Sequence, residues 1–255
     1  MCIIAIKPKG MKMFSDETIR TMFINNPDGA GYMYFNPATK KVVIKKGYMN
    51  EKTLIKSLHS KDFTNTNVIL HFRIGTSGLY NALNCHPYPV FEKNALTCST
   101  DLGMAHNGIL TNFSPPKKSD INDTQMFINT VLKGLKKNFL RDADKLNLIK
   151  FIIGTNKLAF LDNRNKVTLL GNFVTDKGYI FSNDSYKKET LYYYPPVTKK
   201  STKKSKVKED SSIPNWDKWD YWDDGYKTSY GDKSFWDGDR SEFWDDYDKR
   251  HPYTH

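Results

Sequence analysis

Hydrophobic and polar positions alternate or recur with enough regularity to place most elements between residues 1 and 195. CIIAIK, directly after Met1, is a nearly continuous apolar run and reads as a buried strand. SDETIRTMFINN (15–26) reads as a helix, with Ser15 as N-cap and Glu17 in its first turn. AGYMYFN and KVVIKKG form a hairpin-like pair across the turn signal NPATK. EKTLIKSLHS reads as a second helix, and NVILHFRI (67–74) as another buried strand. GMAHNGIL carries a short strand into a turn. In DTQMFINTVLKGLKKN (123–138), Phe127, Val131 and Leu135 share one helical face, and DADKLNLIKFII extends the helical region. KLAFLD, KVTLLG and GYIFSN close the segment as three strands. Strands, then helices, then strands again predict an α+β fold of two stacked, mainly antiparallel sheets with helices outside, instead of βαβ crossovers.

Beyond residue 195 the pattern stops. All five tryptophans (Trp216, Trp219, Trp222, Trp236, Trp244) fall in the last 45 of the 255 residues. The reading is a folded domain over 1–195, a lysine-rich linker over 196–210, and a Trp/Asp-rich low-complexity tail over 211–255. That tail is too polar to bury a core and is expected to be disordered. It could serve as an adhesive segment for a protein partner or as a solubilising one.

The net charge of +11 is unevenly spread: residues 1–198 hold 27 Lys and Arg against 15 Asp and Glu, and residues 211–255 hold 6 against 11. A basic body can attract nucleic acid, but a solvated lysine-rich surface is the preferred reading. The opening apolar run lacks the flanks of a secretion signal, and no stretch of about 18 apolar residues occurs, so no membrane association is expected. Three cysteines (Cys2, Cys85, Cys98) are too few for a disulfide framework, which favours a cytoplasmic setting.

Four separated stretches carry candidate chemistry: MCII, HFRIGTSG (71–78) followed by NCHP (84–87), MAHNGIL (104–110), and NDT (122–124). Cys2 alone could be a small buried hydrophobe. If Met1 is removed, its thiol lies beside a free α-amine whose ordinary pKa, about 7.7–8.0, suits proton transfer. An amide substrate passes through an oxyanion that needs donors already in place, and the Asn107 side chain and the Gly108 N–H offer them. Arg73 suits a substrate carboxylate, and Asp123 at a helix start suits an ammonium. Singly, an arginine in a strand or Asn-Gly in a turn is most often structural. Cys85, His86, Cys98 and His106 match no zinc spacing, and no phosphate loop or dinucleotide fingerprint occurs, so no metal or cofactor is expected. His59 and His71 read as surface or packed histidines.

Taken together the four stretches resemble the glutamine-hydrolysing domain of class II glutamine amidotransferases, which are N-terminal-nucleophile hydrolases. The resemblance implies a four-layer αββα sandwich over about residues 1–190, and Cys2 as nucleophile after methionine removal. Arg73 and Thr76, in the R-x-x-T-x-G stretch 73–78, would bind the glutamine carboxylate. Asn107 and Gly108, in A-H-N-G, would form the oxyanion hole, His106 of the same turn would help bind the substrate, and Asp123 would bind the α-amine. NPDGAGYMY (26–34), NCHP and YIFSND (179–184) are weaker echoes. Ile74, Ser77 and Asn122 depart from the family's commoner residues, which loosens the preference for glutamine over another amide. Nothing after residue 195 can form a synthase, so ammonia would pass to an unknown acceptor or to a separate synthase, recruited through 211–255. The competing reading is a catalytically silent or divergent protein of this fold, acting in binding or assembly through its basic body and its tail.

Overall fold

The computed structural model describes residues 1–75, 81–116 and 119–188. Thr76 and Ser77, the linker 196–210 and the tail 211–255 lie outside the described residues, as does the boundary expected at 195.

The elements run β1 (Ile3–Lys7), α1 (Asp16–Asn25), β2 (Ala30–Asn36), β3 (Lys41–Tyr48), α2 (Glu51–His59), β4 (Val68–Phe72), β5 (Tyr88–Pro89), β6 (Thr97–Thr100), β7 (Leu102–Asn107), α3 (Asp123–Thr130), α4 (Ala143–Ile153), β8 (Lys157–Asp162), β9 (Val167–Leu170), β10 (Val174–Asp176) and β11 (Tyr179–Phe181). Among the described residues, these eleven strands form a seven-stranded sheet, ordered β10-β11-β1-β4-β2-β3-β6, and a four-stranded sheet, ordered β5-β7-β8-β9. Every pairing is antiparallel. The chain is thus α+β, with two antiparallel sheets and four α-helices among the described residues.

Side-chain alternation along β1 shows how the core is divided. Ile3 and Ala5 join a cluster with Ile19, Met22 and Phe23 of α1 and Leu54, Ile55 and Leu58 of α2. Ile4 and Ile6 point the other way and cluster with Ala105 of β7 and Ala159 and Leu161 of β8, on the other sheet. The opposite faces of β7 and β8 present Met104, Leu158 and Phe160 to Phe127 and Ile128 of α3 and Ile149 and Ile153 of α4. By the same alternation Cys2 falls on the side of Ile4 and Ile6, at the strand's entry.

Local chemistry explains the helix ends. Ser15 Oγ accepts from Thr18 N, as expected of an N-cap. Asn122 caps α3 with a full capping box: its side chain accepts from Gln125 N, and the Gln125 side chain answers to Asn122 N. The helix expected over 123–138 ends at Thr130, followed by a 3₁₀ turn at Leu132–Gly134. Leu132, now buried, joins the core cluster that Phe127 begins. Glycine at 134 and the lysines beyond it offer little to extend an α-helix. The region after it restarts as a separate helix, α4, capped by Asp142. Among the described residues, no helix is long and apolar enough to cross a membrane.

Candidate active site

The stretches singled out in the sequence are joined by direct hydrogen bonds, although the partners lie up to 181 positions apart. β1 pairs with β4 so that Ile3 faces Phe72, which brings Cys2 to the level of Arg73. The Cys2 Sγ accepts from Ile74 N (3.2 Å) and donates to Ile74 O (3.3 Å). Burial pushes the thiol pKa up, opposed by the Ile74 N–H and by the positive charges of the chain's α-amino end and Arg73. The thiol is thus held on both its donor and its acceptor sides.

Arg73 is buried, and its backbone N–H donates to Gly29 O (2.9 Å) while its carbonyl accepts from Asp28 N (3.0 Å). Asp28 Oδ2 also accepts from Gly75 N (2.6 Å), so the D-G-A-G stretch clasps the R-I-G stretch from both sides. A side chain at Gly31 would run into the His86 carbonyl, which explains a glycine in the middle of a strand.

Asn107 ends β7. Its Nδ2 donates to Ser182 Oγ (2.8 Å), and the same hydroxyl accepts from Ile4 N (2.8 Å). Asn183 Nδ2 donates to Cys2 O (2.7 Å), and Lys157 Nζ donates to Ser182 O. The segment after β11 therefore ties the residues around Cys2 to the end of β7, across the two sheets. Gly108 follows with φ +140, and a Cβ there would overlap Asn156 Oδ1, so glycine is required at this turn.

Asp123 is the first residue of α3 and is buried. Its Oδ2 accepts from Leu110 N (2.7 Å) and its Oδ1 from Thr124 N (2.8 Å), which fastens the turn after Gly108 to the helix start. His106 is held between Thr124 Oγ1 (2.7 Å from Nδ1) and Asn156 Oδ1 (3.1 Å from Nε2). Because Asn156 Nδ2 donates to Ile153 O, its oxygen faces the ring, so His106 carries its proton on Nε2. Both ring nitrogens of His106 are thus engaged, one at the start of α3 and one at Asn156.

Three buried imidazoles stack beneath these residues. His86 Nδ1 accepts from His106 N (3.2 Å), and His71 Nε2 donates to His106 O (2.9 Å). The His71 and His86 rings lie 4.2 Å apart. Burial holds His71 down to about 3 and His86 well below its ordinary range, so both are neutral at pH 7. Beside them Lys46 Nζ sits 3.8 Å from the Tyr88 ring centroid with no hydrogen-bond partner among the described residues. Burial lowers its pKa to about 7. The three cysteines are free thiols, and no cluster of three or more His, Cys, Asp or Glu suited to a metal occurs among the described residues.

Cys2, Arg73, Asn107 and the start of α3 thus belong to one connected network, while Thr76 lies outside the described residues. The sequence reading assigned no part to Ser182, Asn183, Asn156 or Lys46. Only Ser182 and Asn183 carried a signal, as members of the YIFSND echo. His59, by contrast, is exposed and pairs with Asp16 (2.8 Å). Compared with protein-family models and with curated proteins, the sequence yields no match.

Proposed function

We propose that the chain is a glutamine-hydrolysing enzyme of the N-terminal-nucleophile type. The observation that carries this reading is the Ser182 bridge, which links the Asn107 amide to Ile4 N, two residues from Cys2. The strand that follows the thiol and an amide donor from the other sheet share an anchor, which suits a nucleophile and its oxyanion donor. The division of the core into helix–sheet, sheet–sheet and sheet–helix clusters supports the αββα layering that this reading implies.

In the proposed reaction Met1 is removed and the Cys2 thiol attacks the side-chain amide carbon of glutamine, with the new α-amine taking the thiol proton. Asn107 and the Gly108 N–H hold the oxyanion. The α-amine returns its proton to the departing nitrogen, ammonia leaves, and water cleaves the thioester to release glutamate. Arg73 and Thr76 receive the substrate carboxylate. Asp123 has lone pairs beyond the two its backbone partners occupy, and these receive the ammonium. Asn122, which departs from the resembled family's commoner residue, caps α3 in this chain. Ammonia would pass to an unknown acceptor or to a partner synthase, with residues 211–255 as the candidate recruiting segment.

The test is glutamate release from glutamine by the purified full chain and by Cys2→Ala. The expected result is steady release by the wild type and a loss of at least ~10³-fold in the variant. No release, or equal release by both, overturns the proposal. Arg73→Ala should raise KM for glutamine by more than it lowers kcat. Unchanged kinetics would redirect the search to a different amide.

A further inference from the structure

The bridge between Asn107 and β1 holds more than its distances state. A serine hydroxyl carries one proton to donate and two lone pairs, and an amide side chain carries one oxygen acceptor and one NH₂ donor. Ile4 N–H takes one Ser182 lone pair. With Nδ2 turned to Ser182, the Asn107 Oδ1 is buried without any partner among the described residues. The Ser182 proton then has no acceptor among the described residues either. Amide oxygen and nitrogen are nearly the same size, and each orientation leaves one buried amide atom without a partner among the described residues, so the chemistry of what arrives at that atom distinguishes them. With the amide turned over, Ser182 O–H donates to Asn107 Oδ1, Ile4 N–H still donates to Ser182 Oγ, and both orphans are satisfied. The NH₂ group then points where the orphan oxygen lay, a buried donor that needs an oxygen acceptor to arrive.

We infer that Ser182 is a positioning residue. It fixes the Asn107 amide with its NH₂ toward the reacting oxygen, and the same hydroxyl pins β1 close behind Cys2. One side chain thereby sets donor orientation and nucleophile position together, with Asn183 holding the Cys2 carbonyl as a second tie. The inference rests on the reading of Cys2 and Asn107 as nucleophile and oxyanion donor. Ser182 touches neither substrate nor sulfur in this account, so its effect is on kcat and not on binding of the amino-acid end.

The experiment uses the full chain as wild type, Ser182→Ala and Ser182→Thr. Glutamine turnover is measured beside the rate at which iodoacetamide alkylates Cys2, a reaction that needs the thiolate but no oxyanion hole. For Ser182→Ala, kcat should fall roughly 10- to 100-fold, at most what loss of a whole oxyanion donor costs. KM should stay within about 3-fold and alkylation within about 3-fold of wild type. Ser182→Thr, which keeps the hydroxyl, should recover most of the kcat. An unchanged kcat in Ser182→Ala, or kcat and alkylation falling in parallel, overturns the inference, since the second result is what a merely structural role gives. A wild type inert to glutamine would sink the functional reading instead. In that case a crystal structure beyond about 1.2 Å resolution decides the orientation directly. Asn107 oxygen toward Ser182 sustains the inference, and nitrogen toward Ser182 overturns it.

Discussion

Replacing Lys46 with methionine should stabilise the protein, although it deletes a buried cation–π contact. Two buried lysines make the argument by contrast. Lys7 Nζ, at the end of β1, donates to the carbonyls of Phe63 and Thr66, so its charge is solvated by backbone. Among the described residues Lys46 Nζ has only the face of Tyr88, and burial lowers its pKa from 10.5 to about 7. A drop of roughly 3.5 units at about 1.4 kcal/mol each sets an upper bound near 5 kcal/mol on what folding loses at or below pH 7. The Tyr88 contact returns about 1–2 kcal/mol within that balance, and relaxation around the site reduces the figure further.

The expected gain for Lys46→Met is therefore about 2–3 kcal/mol at pH 6 to 7. The sign with pH follows from proton counts. Between pH 7 and 10.5 the unfolded chain keeps the lysine proton and the folded chain has released it, so wild-type stability rises with pH there. The advantage of the methionine variant should accordingly shrink by up to about 1.4 kcal/mol per pH unit above 7. Urea unfolding of both proteins at pH 6, 7, 8 and 8.5 reads this difference, since the ordinary thiols of the unfolded chain titrate alike in both. A variant less stable than wild type at pH 6, with a difference flat across the range, would refute the reasoning.

Two other substitutions probe the same region. His71, held down to about 3, cannot take the proton that an unfolded histidine takes near 6.5. Wild-type stability should therefore fall below pH 6.5 by up to ~1.4 kcal/mol per unit for each buried imidazole, and His71→Gln should remove one such share, read from unfolding midpoints between pH 7 and 5. Gly108→Ala should cost about 2–4 kcal/mol through its positive φ and the overlap with Asn156. Asn156→Gly in the same chain should recover part of the loss of melting temperature.

Periodicity reveals long elements with both faces committed. β1, β2, β3 and β4 are such segments, and each was readable because its burial follows from the sequence itself. The two-residue β5, the mostly exposed β6 and the three-residue β10 were not readable, since pairing and not composition makes them strands. The overlong helix expected over 123–138 has the same cause: the apolar spacing continues past Thr130, but the backbone turns there. At the candidate site, cysteine, arginine, Asn-Gly and aspartate were visible as reactive groups. Ser182 was not, because a serine acquires its role from what it bridges, here two sheets that no local pattern joins. Lys46 was hidden for the opposite reason, since a lysine in an alternating strand reads as a solvent-facing residue until the second sheet covers it.

The central claim is that Cys2 becomes an N-terminal nucleophile with a glutamine site around it. The most direct test is the intact mass of the purified protein before and after exposure to a diazo-ketone analogue of glutamine. The account predicts a chain lacking Met1 that gains one adduct, mapped to Cys2, with excess glutamine slowing the reaction. Retained Met1, or a trimmed chain that takes no label, would contradict it.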